Sequence, residues 1–302
     1  MDILLTLAGL FLVALTLRDI FATLFHPMGR GNVERLVLAG VSRVVPHQVA
    51  RRTRFAPVLA GPLGYMATVA SWAILLTVGW ALIFLPHLPE GFLFADGLDP
   101  ADHDQFADAL YISLVNLTSL GYGDISPEGW LLRLLGPTET LFGLGLLTAS
   151  ISWLLSIYGV ISRRDAFAHE VQLSKAAEEH LGEKLAIADA ELLERMLTSF
   201  AQELVVTRRD LIHFPITHHF RTEDEERALS GLLPFLRRLV EEATEEGRPH
   251  ALKVRGRMLG MAIDDFAETL RARLQIAGET TEETLEHYDA HHRQVAPQEH
   301  SA

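Results

Sequence analysis

The stretch Thr118-Ser119-Leu120-Gly121-Tyr122-Gly123-Asp124-Ile125-Ser126-Pro127 holds the residue types and spacing with the clearest chemical capacity in this chain. That capacity lies in the backbone. Glycines at 121 and 123 can take backbone angles closed to other residues, so successive carbonyl oxygens can point to one side. Four such loops around a narrow pore would present enough carbonyl oxygens to replace the water around a permeating cation. Gly-Tyr-Gly alone also serves as an ordinary glycine turn. Context sets this one apart: a short amphipathic helix precedes it, and long apolar spans lie on either side.

A bilayer core about 30 Å thick needs roughly 20 apolar residues of helix. Three stretches meet or approach that. Ile3 to Phe25 is apolar apart from Arg18 and Asp19 near its end, and Asp19 is expected to pair with an arginine of the following loop. Leu63 to Leu85 carries no charge and offers Trp72 and Trp80 as interfacial anchors. Trp130 to Ile161 is interrupted by Arg133 and Glu139. The first stretch lacks the basic flank and small-residue cleavage site of a signal peptide, and is expected to be a retained span.

Arginines set the orientation. Arg30, Arg35, Arg43, Arg51, Arg52 and Arg54 lie between the first two spans, opposed only by Glu34, and Arg163 and Arg164 follow the third. Both segments are expected on the cytoplasmic side. Pro86 to Glu128 is rich in Asp and Glu and has no Lys or Arg, so it is expected outside. The N-terminus then lies outside and the long C-terminal region in the cytoplasm.

Ala109-Leu110-Tyr111-Ile112-Ser113-Leu114-Val115-Asn116-Leu117-Thr118 resembles the pore helix of two-transmembrane bacterial potassium channels. Ser119-Leu120-Gly121-Tyr122-Gly123-Asp124 resembles their Thr-Val-Gly-Tyr-Gly-Asp selectivity filter in register. The close resemblance covers residues 63–161. It implies K⁺ sites at Ser119, Leu120, Gly121 and Tyr122, with Gly123 completing the filter. It further implies supporting roles for Thr118 and Asp124, and a bending point of the inner helix at Gly143 and Gly145. Ser119 keeps the hydroxyl of the threonine it replaces, and Leu120 contributes its carbonyl where valine is usual. Either change is expected to alter rigidity behind the filter and soften selectivity.

Over its whole length the chain more loosely resembles bacterial single-pore ion-channel proteins with an extra N-terminal span and a helical cytoplasmic tail. Arg18-Asp19-Ile20-Phe21-Ala22-Thr23 and His26-Pro27-Met28-Gly29-Arg30-Gly31 carry this, with Leu192 to Phe220 more weakly. The implied fold is an all-α membrane protein built on a potassium-channel pore module, in a bacterial inner membrane. Its expected parts are an N-terminal helix (1–26), a basic linker (27–62), the pore module (63–161), a cytoplasmic helical domain (162–286) and a disordered tail (287–302). Within the pore module we expect an outer helix at 63–86, an acidic loop at 87–104, a pore helix at 105–118, the filter at 119–124 and an inner helix at 129–161.

A filter needs four loops and this chain supplies one, with no second Gly-Tyr-Gly and no internal repeat. A homotetramer is therefore expected, and a transporter that fuses four loops in one chain is disfavoured. No regularly spaced arginine helix marks a voltage sensor. The expected activity is passive K⁺ conduction. Two alternatives stand beside it: a weakly selective cation channel, motivated by Ser119 and Leu120, and a membrane-anchored scaffold or sensor with a vestigial pore.

The 302 residues include 26 Lys and Arg against 39 Asp and Glu, a net charge of −13, which gives no electrostatic case for nucleic-acid binding. There are no cysteines, so disulfides and thiolate metal sites are excluded. The C-terminal region reads as helices. Leu193, Met196, Leu197, Phe200 and Leu204 recur at helical spacing, as do Leu229, Leu232, Leu233, Leu236 and Val240, and Met258, Ala262, Phe266, Leu270 and Leu274. Thr222 to Glu225 has capping-box spacing and is expected to start the second helix, while His213-Phe214-Pro215 ends the first. Leu36 to Val45 reads as a basic amphipathic segment or an ordinary connecting helix. No nucleotide-binding glycine motif, Walker loop or hydrolase elbow is present, so neither a cofactor nor catalysis is expected. The tail's ligand or protein partner stays unspecified.

Glu139 is the costly residue. A carboxylate inside a span costs about 2.5–3.5 kcal/mol unless it pairs or meets water. One reading puts it in the pore wall, raising the local cation concentration. The favoured one puts it behind the filter, bonded to Asn116, Thr118 or Ser119. The histidine groups His213, His218, His219 and His287, His291, His292 read as solvated or structural rather than metal-binding.

Overall fold

The computed structural model describes residues 2–24, 31–33, 36–37, 40, 56–102, 104–182, 184–185, 190–220 and 228–293. The chain forms two compact units: residues 1–40 with 64–155, and residues 41–63 with 156–302. Among the described residues the architecture is eight α-helices, short 3₁₀ turns and one two-stranded sheet. The helices are α1 (Asp2–Leu24), α2 (Ala56–Phe84), α3 (Gln105–Leu117), α4 (Trp130–Leu181), α5 (Ala190–His213), α6 (Leu229–Thr244), α7 (His250–Leu274) and α8 (Thr281–Arg293). The strands are β1 (Phe92–Phe94) and β2 (Ile125–Pro127). Three helical segments, Asp2–Leu24, Gly61–His87 and Trp130–Leu181, are long and apolar enough to cross a membrane.

In the first unit α1 runs antiparallel to α2. A Cβ on Gly9 would stand 2.5 Å from the Gly79 carbonyl, and one on Gly79 would stand 2.8 Å from Val13. Ten residues further along α1, Asp19 meets Trp72, whose Nε1 donates to Oδ2 at 2.9 Å. Asp19 Oδ1 also accepts from the amides of Asn32 and Val33. The buried stripe of α1, Gly9, Val13, Thr16, Asp19 and Ile20, has the spacing of one helix face. Its other faces expose Leu4, Leu7, Leu10 and Phe11.

Trp72 and Trp80 are not interfacial anchors, because they are 0% and 3% exposed and pack inside the first unit. Trp72 is spent on Asp19, and Trp80 packs against Phe84 and Phe142. The arginines expected to pair with Asp19 lie outside the described residues, as does most of the segment 36–60.

The second unit has its own core, built from Phe167, Leu197, Phe200, Leu204, Leu233, Leu236, Leu259, Phe266 and Leu270 among others. The periodic sets on α5 and α6 supply it as their spacing predicts. On α7 the stripe is Leu252, Leu259, Ile263, Phe266 and Leu270, and Met258 is 45% exposed. Helix α5 ends at His213, ahead of Pro215, as expected. Helix α6 begins at Leu229 behind Ala228, which makes no side-chain cap, and Thr222 to Glu225 lies outside the described residues. Helix α4 continues 20 residues past Ile161 and ends where Gly182 turns left-handed (φ 67°), its amide bonded to the Glu178 carbonyl. Helix α8 runs through Arg293 and buries Tyr288 at 5% exposure, so disorder does not begin at 287. Tyr288 gains its place by filling the space between Phe266 and His218.

Candidate functional site: the pore loop

The site begins at α3. Asp104 caps this helix, accepting from the amides of Phe106 and Ala107, and the apolar face of Ala109, Ile112 and Leu117 is buried. At the far end the chain winds off the helix in a set order: Thr118 N–H to the Leu114 carbonyl, Ser119 N–H to Asn116, and Leu120 N–H to Val115. Those bonds occupy the last carbonyls of α3, whose C-terminal end carries the partial negative charge of the helix dipole toward the loop. The chain then leaves through β2, which pairs antiparallel with β1 in the register Phe92 with Pro127, Leu93 with Ser126 and Phe94 with Ile125. The loop is thus hung between a capped helix and a short sheet.

Between those supports the backbone alternates. Ser119, Gly121 and Gly123 have φ of 59°, 58° and 76°. Leu120 and Tyr122, 53% and 67% exposed, lie between them. Left-handed backbone at every second residue turns successive peptide planes into a common direction, which the two glycines permit at little cost. Ser119 has a Cβ, and a non-glycine residue in this region costs about 1–2 kcal/mol. Asp124 closes the loop: Tyr111 Oη donates to its Oδ2 at 2.5 Å, and its carbonyl accepts from Ala95 N–H at 2.8 Å.

Behind the loop the first part of α4 packs against α3. Glu139 is 0% exposed. Its Oε1 lies against Ser113 Oγ, and Asn116 Nδ2 donates to its Oε2 at 3.3 Å. Thr118 instead bonds back to the Leu114 carbonyl within its own helix. Thr140 Oγ1 donates to the Asn116 carbonyl at 2.9 Å. Gly143 comes so close to α3 that a Cβ there would sit 1.9 Å from the Leu117 carbonyl oxygen, whereas Gly145 has open space around it. Sequence reasoning missed Ser113, Thr140 and the Tyr111–Asp124 bond. The i, i+3 spacing of Ser113 and Asn116 on an amphipathic helix was the available signal for the first.

Helix α4 also exposes Leu141, Leu144, Leu147, Ile151 and Leu155, a face of large apolar side chains facing out of the single chain. Residues 72–158, which contain α3, this loop and the first part of α4, match the family described as ion channel. Over these residues the chain is similar to that ion channel family. The chain is also similar to the uncharacterized membrane protein YdjJ of Bacillus subtilis (strain 168), with 25% identity over 224 residues. That match covers 74% of this chain and 64% of the relative, so the chain spans less than two thirds of the relative's length. No solved structure matches. The match to the ion channel family takes in α3, the loop, β2 and the first part of α4, the elements whose geometry forms the site. The three apolar helices fit a membrane channel.

Among the described residues no group of three or more His, Asp or Glu side chains could hold a metal ion. His218 stacks on Tyr288 at 5.9 Å and meets His219 edge-on at 5.4 Å. His287 Nδ1 lies 2.9 Å from the Ala277 carbonyl. These histidines have packing or backbone partners.

Proposed function

We propose that this chain is one subunit of a homotetrameric, potassium-selective channel that conducts K⁺ passively, with its N-terminus outside and its C-terminal helices in the cytoplasm. The observation that carries the proposal is the alternating left-handed backbone at Ser119, Gly121 and Gly123, directly after a helix whose C-terminus faces the loop. One chain supplies one such loop, and a ring of carbonyls needs four. K⁺ would exchange its water for the oxygens of Ser119, Leu120, Gly121 and Tyr122, with Gly123 and Asp124 holding the outer end. The exposed apolar face of α4 supports a role against lipid or neighbouring subunits, where it is no longer in contact with water.

Ser119 favours a second reading, a cation channel of weaker selectivity. Its left-handed backbone carries a cost that glycine would not, so the inner end of the filter is the part most apt to relax. Reversal potentials of the purified protein in liposomes under K⁺ and Na⁺ gradients test both readings. A potential near the K⁺ equilibrium value supports selective conduction, an intermediate one the weaker filter, and no conductance rejects both in favour of a scaffold.

A further inference from the structure

One helical turn of α4 is joined to the last turn of α3 at three places. The Glu139 carboxylate holds Ser113 and Asn116, Thr140 donates to the Asn116 carbonyl, and Gly143 lies against the Leu117 carbonyl. The Asn116 carbonyl accepts from Thr140 Oγ1 of α4 at 2.9 Å and from the amide of Ser119 at 3.0 Å. A single oxygen therefore connects the inner helix to the first residue of the filter. Ser113 Oγ, already against Glu139, is also 2.9 Å from the Thr77 carbonyl of α2, so the same cluster touches both flanking helices.

A carboxylate at membrane depth is retained at a cost that an apolar side chain filling the same space would avoid. Glu139 uses one oxygen on each of two residues a turn apart, which fixes both the rotation and the depth of the last turn of α3. We infer that Glu139 is a positioning residue that sets ion selectivity: without touching the ion, it holds the Asn116 side chain, and through that residue's carbonyl the inner end of the filter, at the spacing that distinguishes K⁺ from Na⁺. This rests on the reading of the loop as a K⁺-selective filter. Thr140 is the second part of the device, since it bonds the very carbonyl that Ser119 uses.

The test uses the full chain in liposomes and measures the K⁺/Na⁺ permeability ratio together with the thermal midpoint of the detergent-purified protein. Glu139→Leu is expected to lower the ratio about tenfold, equivalent to about 1.4 kcal/mol of lost discrimination. Glu139→Gln is expected to stay within about twofold, because its NH2 can donate to Ser113 Oγ while its oxygen accepts from Asn116 Nδ2 as the carboxylate does. Thr140→Val is expected to shift the ratio in the same direction, and carries the test if the leucine variant does not assemble. A lowered midpoint with an unchanged ratio in the variants that assemble would make Glu139 a stability residue and overturn the inference. Equal losses in Gln and Leu variants would overturn it too, by pointing to charge rather than hydrogen bonding. A wild-type protein that does not discriminate the ions rejects the functional reading itself, which is a separate outcome.

Discussion

At the scale of single residues, Gly143 and Gly145 are two positions apart and are glycines for different reasons. Gly143 sits where α4 and α3 approach too closely for any side chain, with the Leu117 carbonyl in the space a Cβ would take. That carbonyl belongs to the last turn of α3 before the Ser119–Asp124 loop. Gly143→Ala must push the two helices apart, and overpacking of this kind costs about 1–3 kcal/mol. The expected outcome is a lowered thermal midpoint and reduced K⁺ flux in liposomes. Gly145→Ala adds a methyl group in open space and gains helix propensity of up to about 1 kcal/mol, so the fold should be kept or strengthened. If Gly145 is where the inner helix bends, its alanine variant will alter open probability while leaving stability intact. Unchanged stability and flux in Gly143→Ala would show that the close approach has no consequence.

At the scale of elements, the second unit depends on contacts between helices distant in sequence. Arg238 of α6 donates to both oxygens of Glu178 on α4, at 2.8 and 2.6 Å, and to Glu242 at 3.2 Å. Both carboxylates are largely buried, and Arg238 itself is 36% exposed. Removing one partner of a buried pair costs about 3–5 kcal/mol, and solvent access to the guanidinium reduces that here to about 2 kcal/mol for Arg238→Met. Urea unfolding of the two proteins measures it. Helix α8 gives a pH-dependent counterpart. Burial raises the pKa of Tyr288 above its ordinary value. The folded state then favours the neutral phenol, so its contribution is complete below about pH 10 and is lost as pH rises through the raised folded value. Tyr288→Phe should therefore lose less stability than the wild type between about pH 9 and pH 11 in the same unfolding experiment. Equal losses would mean that Tyr288 does not titrate on unfolding.

At the scale of the whole molecule, one unbroken helix serves both units. At 52 residues, α4 is about 78 Å long and carries Glu139, Gly143 and, further on, Arg163 and Arg164. Arg163 pairs with Asp210 of α5, with contacts of 2.9 and 2.6 Å. Arg164 donates to the carbonyls of Thr217 and Phe220, each at 3.1 Å. Phe220 also lies against Gly61 at the start of α2, where a Cβ would come 2.4 Å from its ring. Within the second unit, the turn from Pro215 to Phe220 thus touches residues of both α2 and α4. A ligand of the C-terminal helices would shift the channel equilibrium proposed above only if it bound two of its arrangements unequally. Arg164→Gln is expected to change single-channel open probability while the K⁺/Na⁺ ratio stays as in the wild type. An unchanged open probability would leave the C-terminal helices as an assembly device.

What the sequence determined by itself is local or compositional. Apolar runs long enough for a bilayer mark the three spans, because the length of a helix in hydrocarbon depends only on its own residues. The glycines at 121 and 123 mark the loop, because a left-handed backbone is chiefly a property of the residue that adopts it. His213-Phe214-Pro215 marks the end of α5 for the same reason. The tertiary structure decided what depends on neighbours remote in sequence. It turned Trp72 inward to Asp19, gave Glu139 its partners Ser113 and Asn116, made Ser119 left-handed without a glycine, and folded Tyr288 into a core that its polar surroundings in sequence hide. On α7 it rotated the buried stripe away from Met258. In each case the deciding energy is that of a contact, and a contact between residues 26 or 53 positions apart, as in Ser113–Glu139 and Asp19–Trp72, leaves no periodic trace in either segment.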